Sequence, residues 1–321
     1  MNFKLNLKSL KENLYSLILV LAIIIVLVLL SVFAQGFLSV NNLTNVLRQV
    51  SVLGLLVLGI SPIIIIGNID LSLAIIMTNS AIVGVSVIQR TGSVSLGILT
   101  IIAIGVSIGA FNGIFIGKLK VVSFIVTFSV MMVGSGFAAW YTRAISISNL
   151  PEYYRLIGNG QIGFVPYSFI IYLVFIIITH LLLNDHYIGR MIYSIGVNPK
   201  ASKLTGIPSE IIILFIFIYA GLLASVAGII QSAKLGSASA AMGRQGMILD
   251  YIAAATVGGI SIKGGKGHVY NALLGTFLIV ILTNSMNLLG INYYVTLIIK
   301  GFILVLIVGL EINRRKVTNK L

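Results

Sequence analysis

Long apolar stretches, separated by short polar breaks, run through nearly the whole chain. They predict spans at residues 14–34, 50–66, 75–88, 94–117, 121–141, 167–183, 211–231, 248–262, 268–288 and 293–310. A helix needs about 20 apolar residues to cross the hydrocarbon core, so most of these units approach spanning length, and the third and eighth are short. The polar–apolar alternation of a membrane β-barrel is absent. Pro62 interrupts the second unit, and the polar link 35–49 is expected to hold a short surface helix. Residues 1–13 form a basic amphipathic lead, and residues 311–321 a basic tail. The first apolar run is long for a signal peptide and ends in no clear cleavage site, so a cleaved leader is not expected.

One break differs from the rest. Residues 184–210 read NDHYIGRMIYSIGVNPKASKLTGIPSE. Asn198 is a good N-cap, and Pro199 fits the first helical position, where a missing N–H costs nothing. Gly206 suits the left-handed residue after the last turn, and Pro208 blocks continuation. Ala201 and Leu204 fall on one face, with Lys200 and Lys203 beside them. Two readings follow: a docking knob, or a connecting loop with one helical turn.

Composition agrees with the pattern. The chain is 58% hydrophobic and 9% charged, against about 25% charged in soluble domains. It is expected to be an all-α polytopic membrane protein with about ten transmembrane helices. With no cysteine, disulfides and thiol chemistry are excluded. The net charge of +14 would fit a nucleic-acid partner, but its distribution argues otherwise. With both termini cytoplasmic, Arg48, Arg90, Arg143, Arg155, Lys234 and Arg244 fall outside and Lys300 within the tenth span. Every other Lys and Arg falls inside. That is the positive-inside bias of a membrane protein, and it places 184–210 in the cytoplasm.

Few residues suggest chemistry. Gly105, Gly109, Gly113 and Gly117 recur every fourth position and allow close helix approach, within the chain or between subunits. Asp70 lies in the polar break GNIDLSLA, residues 67–74. A carboxylate there is either a hinge or pathway element or an N-cap at a helix boundary. Asn284 and Asn287 share a helical face and either line a path or bond a neighbouring helix. The glycine cluster 264–267 is not a phosphate loop, because Lys266 is followed by Gly267 and position 260 is Ile. His180, His186 and His268 have no metal-ligand spacing, and no catalytic constellation is legible.

Several stretches together resemble the ribose-type permeases of bacterial ABC transporters. Gly196, Asn198, Pro199, Ala201, Leu204 and Gly206 match the pattern G-x-N-P-x-A-x-x-L-x-G of that family's coupling loop. Gly67, Ile69, Asp70, Leu71 and Ser72 match G-G-I-D-L-S-V-G, with departures at Asn68, Leu73 and Ala74. In 250–267, Asp250, Ile252, Ala253, Ala254, Gly258, Gly259, Ser261, Gly264, Gly265 and Gly267 match, whereas Ile248 replaces a usual acidic residue. The stretch after Asn287, including Lys300, is similar to the family's last span. The resemblance covers about residues 40–312.

It implies a type II ABC importer-like architecture, similar to the vitamin B12 permease, in a bacterial plasma membrane. The solute would be a monosaccharide, ribose-like, or a similar small polar molecule. Coupling to a separate ABC ATPase subunit, which holds ATP and Mg, would use Gly196, Asn198, Pro199, Lys200, Ala201, Lys203, Leu204 and Gly206. Asn68, Asp70, Ser72, Asn284 and Asn287 would belong to the translocation pathway. Arg143, Arg155, Lys234, Arg244 and Asp250 would meet an extracytoplasmic solute-binding protein. A second permease copy or a homologue would complete a dimer in the lipid. No catalytic residue, metal, chain-bound cofactor or nucleic acid is implied. A gradient-driven secondary transporter and a polytopic membrane enzyme remain as alternatives.

Overall fold

The computed structural model describes residues 34–243 and 245–302, together with residues 17, 20, 21, 23–25, 27, 28 and 31 of the first apolar run. Most of the expected first span, both terminal segments, Arg244 and the end of the tenth span lie outside the described residues. Helix α1 covers Val40–Ile65, α2 Leu73–Thr91, α3 Val94–Gly113 with a π-helical extension at Ile114–Lys118, and α4 Ser123–Thr142. A short helix α5, Glu152–Asn159, and a two-stranded hairpin, Gln161–Ile162 with Val165–Pro166, precede α6, Tyr167–His180. Helices α7, Tyr187–Val197, and α8, Pro199–Leu204, lead into α9, Ser209–Leu235. Then come α10, Gln245–Val257, α11, Val269–Leu288, and the apolar helix α12, Tyr293–Phe302.

The protein is an all-α polytopic membrane protein. Among the described residues, 7 helices are long and apolar enough to cross a membrane, and α10 and α12 are shorter apolar helices. Burial sorts the long helices. The most apolar window of α1 is 89% buried, whereas that of α3 is 22% buried. A helix that is apolar all round belongs inside the bundle when its neighbours supply the packing. α1 does so by being slender: a Cβ at Gly54 would overlap the Tyr172 ring of α6. α3 turns its glycine edge inward and its large residues, such as Leu99 and Phe111, outward.

α1 begins ten residues before the expected span. The polar link is its first turns, not a separate surface helix, because its polar side chains find partners there. Ser39 caps the helix by accepting from the Asn42 N–H. The Arg48 Nη2 donates to the Asn159 carbonyl at 2.8 Å. Pro62 sits near the helix end without breaking it.

Hydrogen bonds sort the loops into two ends. At one end, Arg48 meets Asn159, Gln89 donates to the Ser148 carbonyl, and Ile147 pairs with Ala238. At the other, Lys120 pairs with Glu210, the Gly265 N–H reaches the Ile65 carbonyl, and Tyr193 reaches Gly267. These assignments alternate along the chain as successive crossings require.

Candidate functional site

The Gly196 end carries an exposed knob. Asn198 closes α7 and opens α8, and its Oδ1 accepts the Ala201 N–H at 3.1 Å. Pro199 occupies the first helical position. Gly206 has φ +80°, a conformation that a residue with a Cβ rarely adopts. Leu204 is 89% exposed and Val197 72% exposed, flanked by exposed Lys200, Ala201 and Lys203. Only Ser202 of α8 faces inward. An ordered helix that offers bare apolar side chains inside a basic rim is suited to receive a partner rather than to stabilise its own chain.

Gly196 faces the other way. A Cβ there would overlap the Ile65 carbonyl at the end of α1. That carbonyl accepts the Gly265 N–H at 2.7 Å, in the turn between α10 and α11. Three residues before Gly196, Tyr193 donates its hydroxyl to the Gly267 carbonyl at 2.7 Å. Burial pushes the Tyr193 phenol up to about 12. Gly264 and Gly265 have φ of +82° and +73°, which explains the glycines where phosphate binding does not.

The break between α1 and α2 is a buried polar network in which Asp70 Oδ2 and Asn112 Oδ1 have no hydrogen-bond partner among the described residues. Asp70 is 1% exposed. Its Oδ1 accepts the Ser72 N–H and hydroxyl, each at 2.6 Å. Asn112 of α3 donates to Ser72 Oγ at 2.9 Å, and Tyr251 of α10 donates to the Asp70 carbonyl at 3.0 Å. The break is thus irregular backbone enclosed in protein, the condition under which a membrane tolerates it. Ser72 precedes α2 without a side-chain cap bond. Asn68 stays half-buried, outside these bonds.

Next to this network an apolar cleft opens between α4 and α10, walled by Leu71, Phe124, Phe128, Met131, Ile248 and Leu249. A narrower recess continues it towards Gly243, past Ala74, Ile75 and Ser135. Asn284 is not on the cleft wall: it exchanges amide hydrogen bonds of 3.1 and 2.9 Å with Asn42. Asn287 is exposed. The glycines of α3 meet α9: a Cβ at Gly105 would strike Ser225, and one at Gly109 the Phe217 carbonyl. Those at Gly113 and Gly117 would press on the Leu214 and Glu210 backbones.

At the Arg48 end, Arg143 and Arg155 are exposed and Lys234 is half-buried. Tyr154 anchors α5 there, its hydroxyl 2.7 Å from Ser232 Oγ. Arg244 lies outside the described residues. Asp250 is engaged within the protein, with Lys300 Nζ 2.8 Å away. No group of three His, Cys, Asp or Glu suited to a metal occurs among the described residues.

Tyr193, Tyr251, Asn42 and the Ile65 carbonyl escaped the sequence reading. For Tyr193 a signal existed, because it lies one turn before Gly196 on the same helix face. The others are brought in by distant segments, and their spacing in sequence carries no trace of it.

A family model described as the permease component of the branched-chain amino acid transport system matches residues 42–308. The chain is 34% identical to the ribose import permease protein of Bacillus subtilis, over 92% of each chain. It is 33% identical to that of Haemophilus influenzae, over 90% of each. It is 30% identical to the xylose transport system permease protein of Haemophilus influenzae, over 95% of this chain and 98% of the relative. No solved structure matches.

Proposed function

The chain belongs to the family of branched-chain amino acid transport system permease components, and from that premise we propose that it is the membrane-spanning permease subunit of an ABC importer for a monosaccharide. The names of its relatives, ribose and xylose permeases, support a sugar over an amino acid as solute. The observation that carries the rest is the knob at α8. Its Leu204 is almost fully exposed on a helix capped at both ends, so a partner surface is needed to cover it. That partner is an ABC ATPase, which binds and hydrolyses ATP with Mg, since the sequence has no phosphate loop. The basic bias of this end supports a cytoplasmic location, and both termini then lie in the cytoplasm. The opposite end, with Arg143, Arg155 and Lys234, receives a solute-binding protein. Two permease copies, or this chain and a homologue, form the pair that two ATPases drive.

Proteoliposomes test this reading. Uptake of labelled ribose, galactose or xylose should require ATP, the ATPase subunit and the binding protein together. Uptake by the chain alone, driven by an ion gradient, would instead make it a secondary transporter. Chemical conversion without uptake would make it a membrane enzyme. Nucleotide binding by the purified chain, free of contaminating ATPase, would overturn the permease assignment.

A further inference from the structure

We propose that Tyr193 and the glycine turn between α10 and α11 form the joint through which movement of α8 reaches the wall of the membrane cleft. The inference rests on the permease reading above and adds the route inside this chain.

The route is short and stiff. α8 is joined to α7 through Asn198, which terminates one helix and caps the other, so the two move together. α7 then grips the body on one face. Tyr193 holds the Gly267 carbonyl, and Gly196 lies against the Ile65 carbonyl that also accepts the Gly265 N–H. A side chain at Gly196 or Gly265 would push α7 off this seat, because a Cβ on Gly265 would press on Val197.

The turn itself is closed by its own hydrogen bonds. Gly264 N–H bonds the Ser261 carbonyl at 2.8 Å, and Ser261 N–H bonds the Lys266 carbonyl at 3.0 Å. Ile260 N–H reaches back to the Ala255 carbonyl in the last turn of α10. α10 carries Ile248 and Leu249, which face Phe124, Phe128 and Met131 of α4 across the cleft. Ile65 ends the most deeply buried helix, α1, and is the fixed point on which the joint turns. Tyr193 touches neither cleft nor knob, so it is a positioning residue. A chain of packed elements carries coupling only if it has two arrangements that both ends bias.

The test is hydrogen–deuterium exchange on the complex with its ATPase in lipid nanodiscs, nucleotide-free against trapped with ADP and vanadate. In the wild type, exchange in residues 258–267 should change together with that in 198–206. In Tyr193→Phe, which keeps the ring and loses the hydroxyl, the change at 198–206 should persist and the change at 258–267 should vanish. Ribose taken up per ATP hydrolysed should fall by about fivefold or more, with assembly intact and only the small drop in thermal midpoint that one lost hydrogen bond causes, which a merely structural residue would not do. The joint is overturned if 198–206 responds in the wild type and 258–267 does not. That arm decides even if the variant does not assemble. It is equally overturned if Tyr193→Phe keeps both responses and the wild-type ratio. Absence of any nucleotide response at 198–206 in the wild type would refute the permease reading itself.

Discussion

Lys300 of α12 holds Asp250 of α10 at both carboxylate oxygens, with Nζ 2.8 Å from Oδ1 and 3.0 Å from Oδ2. Their side chains are 12% and 19% exposed. In apolar surroundings each charge is tolerable because the other is present. Removing one partner of such a pair costs about 3–5 kcal/mol, whereas replacing both is much milder. Asp250→Asn and Lys300→Met should each lower the thermal midpoint in detergent. The double variant should recover most of the loss. A loss in the double variant equal to the sum of the two single losses would show that the two residues do not stabilise each other.

The seam between α3 and α9 is set by glycine. Gly109→Leu and Gly113→Leu place bulk against the Phe217 carbonyl and the Leu214 backbone, which cannot retreat without parting the helices. Both should reduce the yield of monodisperse protein. Gly136→Leu, at a helical position with open space, is the control and should express normally. Normal yield from all three would remove the seam from the account of stability.

The knob separates docking from folding. Leu204→Asp alters a side chain that touches little of its own chain, so the thermal midpoint should hold. Buried in an apolar groove without a partner, the new carboxylate costs several kcal/mol, and co-purification with the ATPase should be lost. Gly206→Val forces a β-branched residue to φ +80° and should distort the exit of α8 and abolish uptake. Wild-type association and uptake in both would exclude this loop from the mechanism.

Charge reversal at the opposite end tests the binding-protein surface. Arg143→Glu and Arg155→Glu change exposed residues, so folding should be unaffected. Association with the binding protein should slow, most strongly at low salt, as expected for steering charges within a screening length. Unchanged association rates in both would place the docking surface elsewhere.

The sequence made the local features legible. The ends of α8 were readable because Asn198, Pro199 and Gly206 each act on their own backbone. The glycine edge of α3 was readable because 3.6-residue periodicity puts every fourth position on one face. The start of α1 was misplaced, because Asn42 and Arg48 look solvent-exposed until Asn284, 242 positions away, and Asn159 are brought beside them. Asp70 showed as a costly carboxylate, but its enclosure by Asn112 and Tyr251 depends on two other helices. Asn284 and Asn287 shared a face as expected, yet one is locked in an amide pair and the other is exposed. Chain distance between partners divides the two groups.

The near-complete enclosure of α1 bears on biogenesis. Chains emerge from the ribosome N-terminus first, so α1 leaves the translocon long before α6, α9 and α11 exist to surround it. During that interval Gly54 lacks the Tyr172 ring and Asn42 lacks its amide partner on α11. The nascent helix therefore carries an open notch at Gly54 and an amide at Asn42 without its cross-helix partner. Chains truncated before residue 269 should be degraded faster than the complete protein in pulse–chase experiments, and Asn42→Leu should slow that degradation.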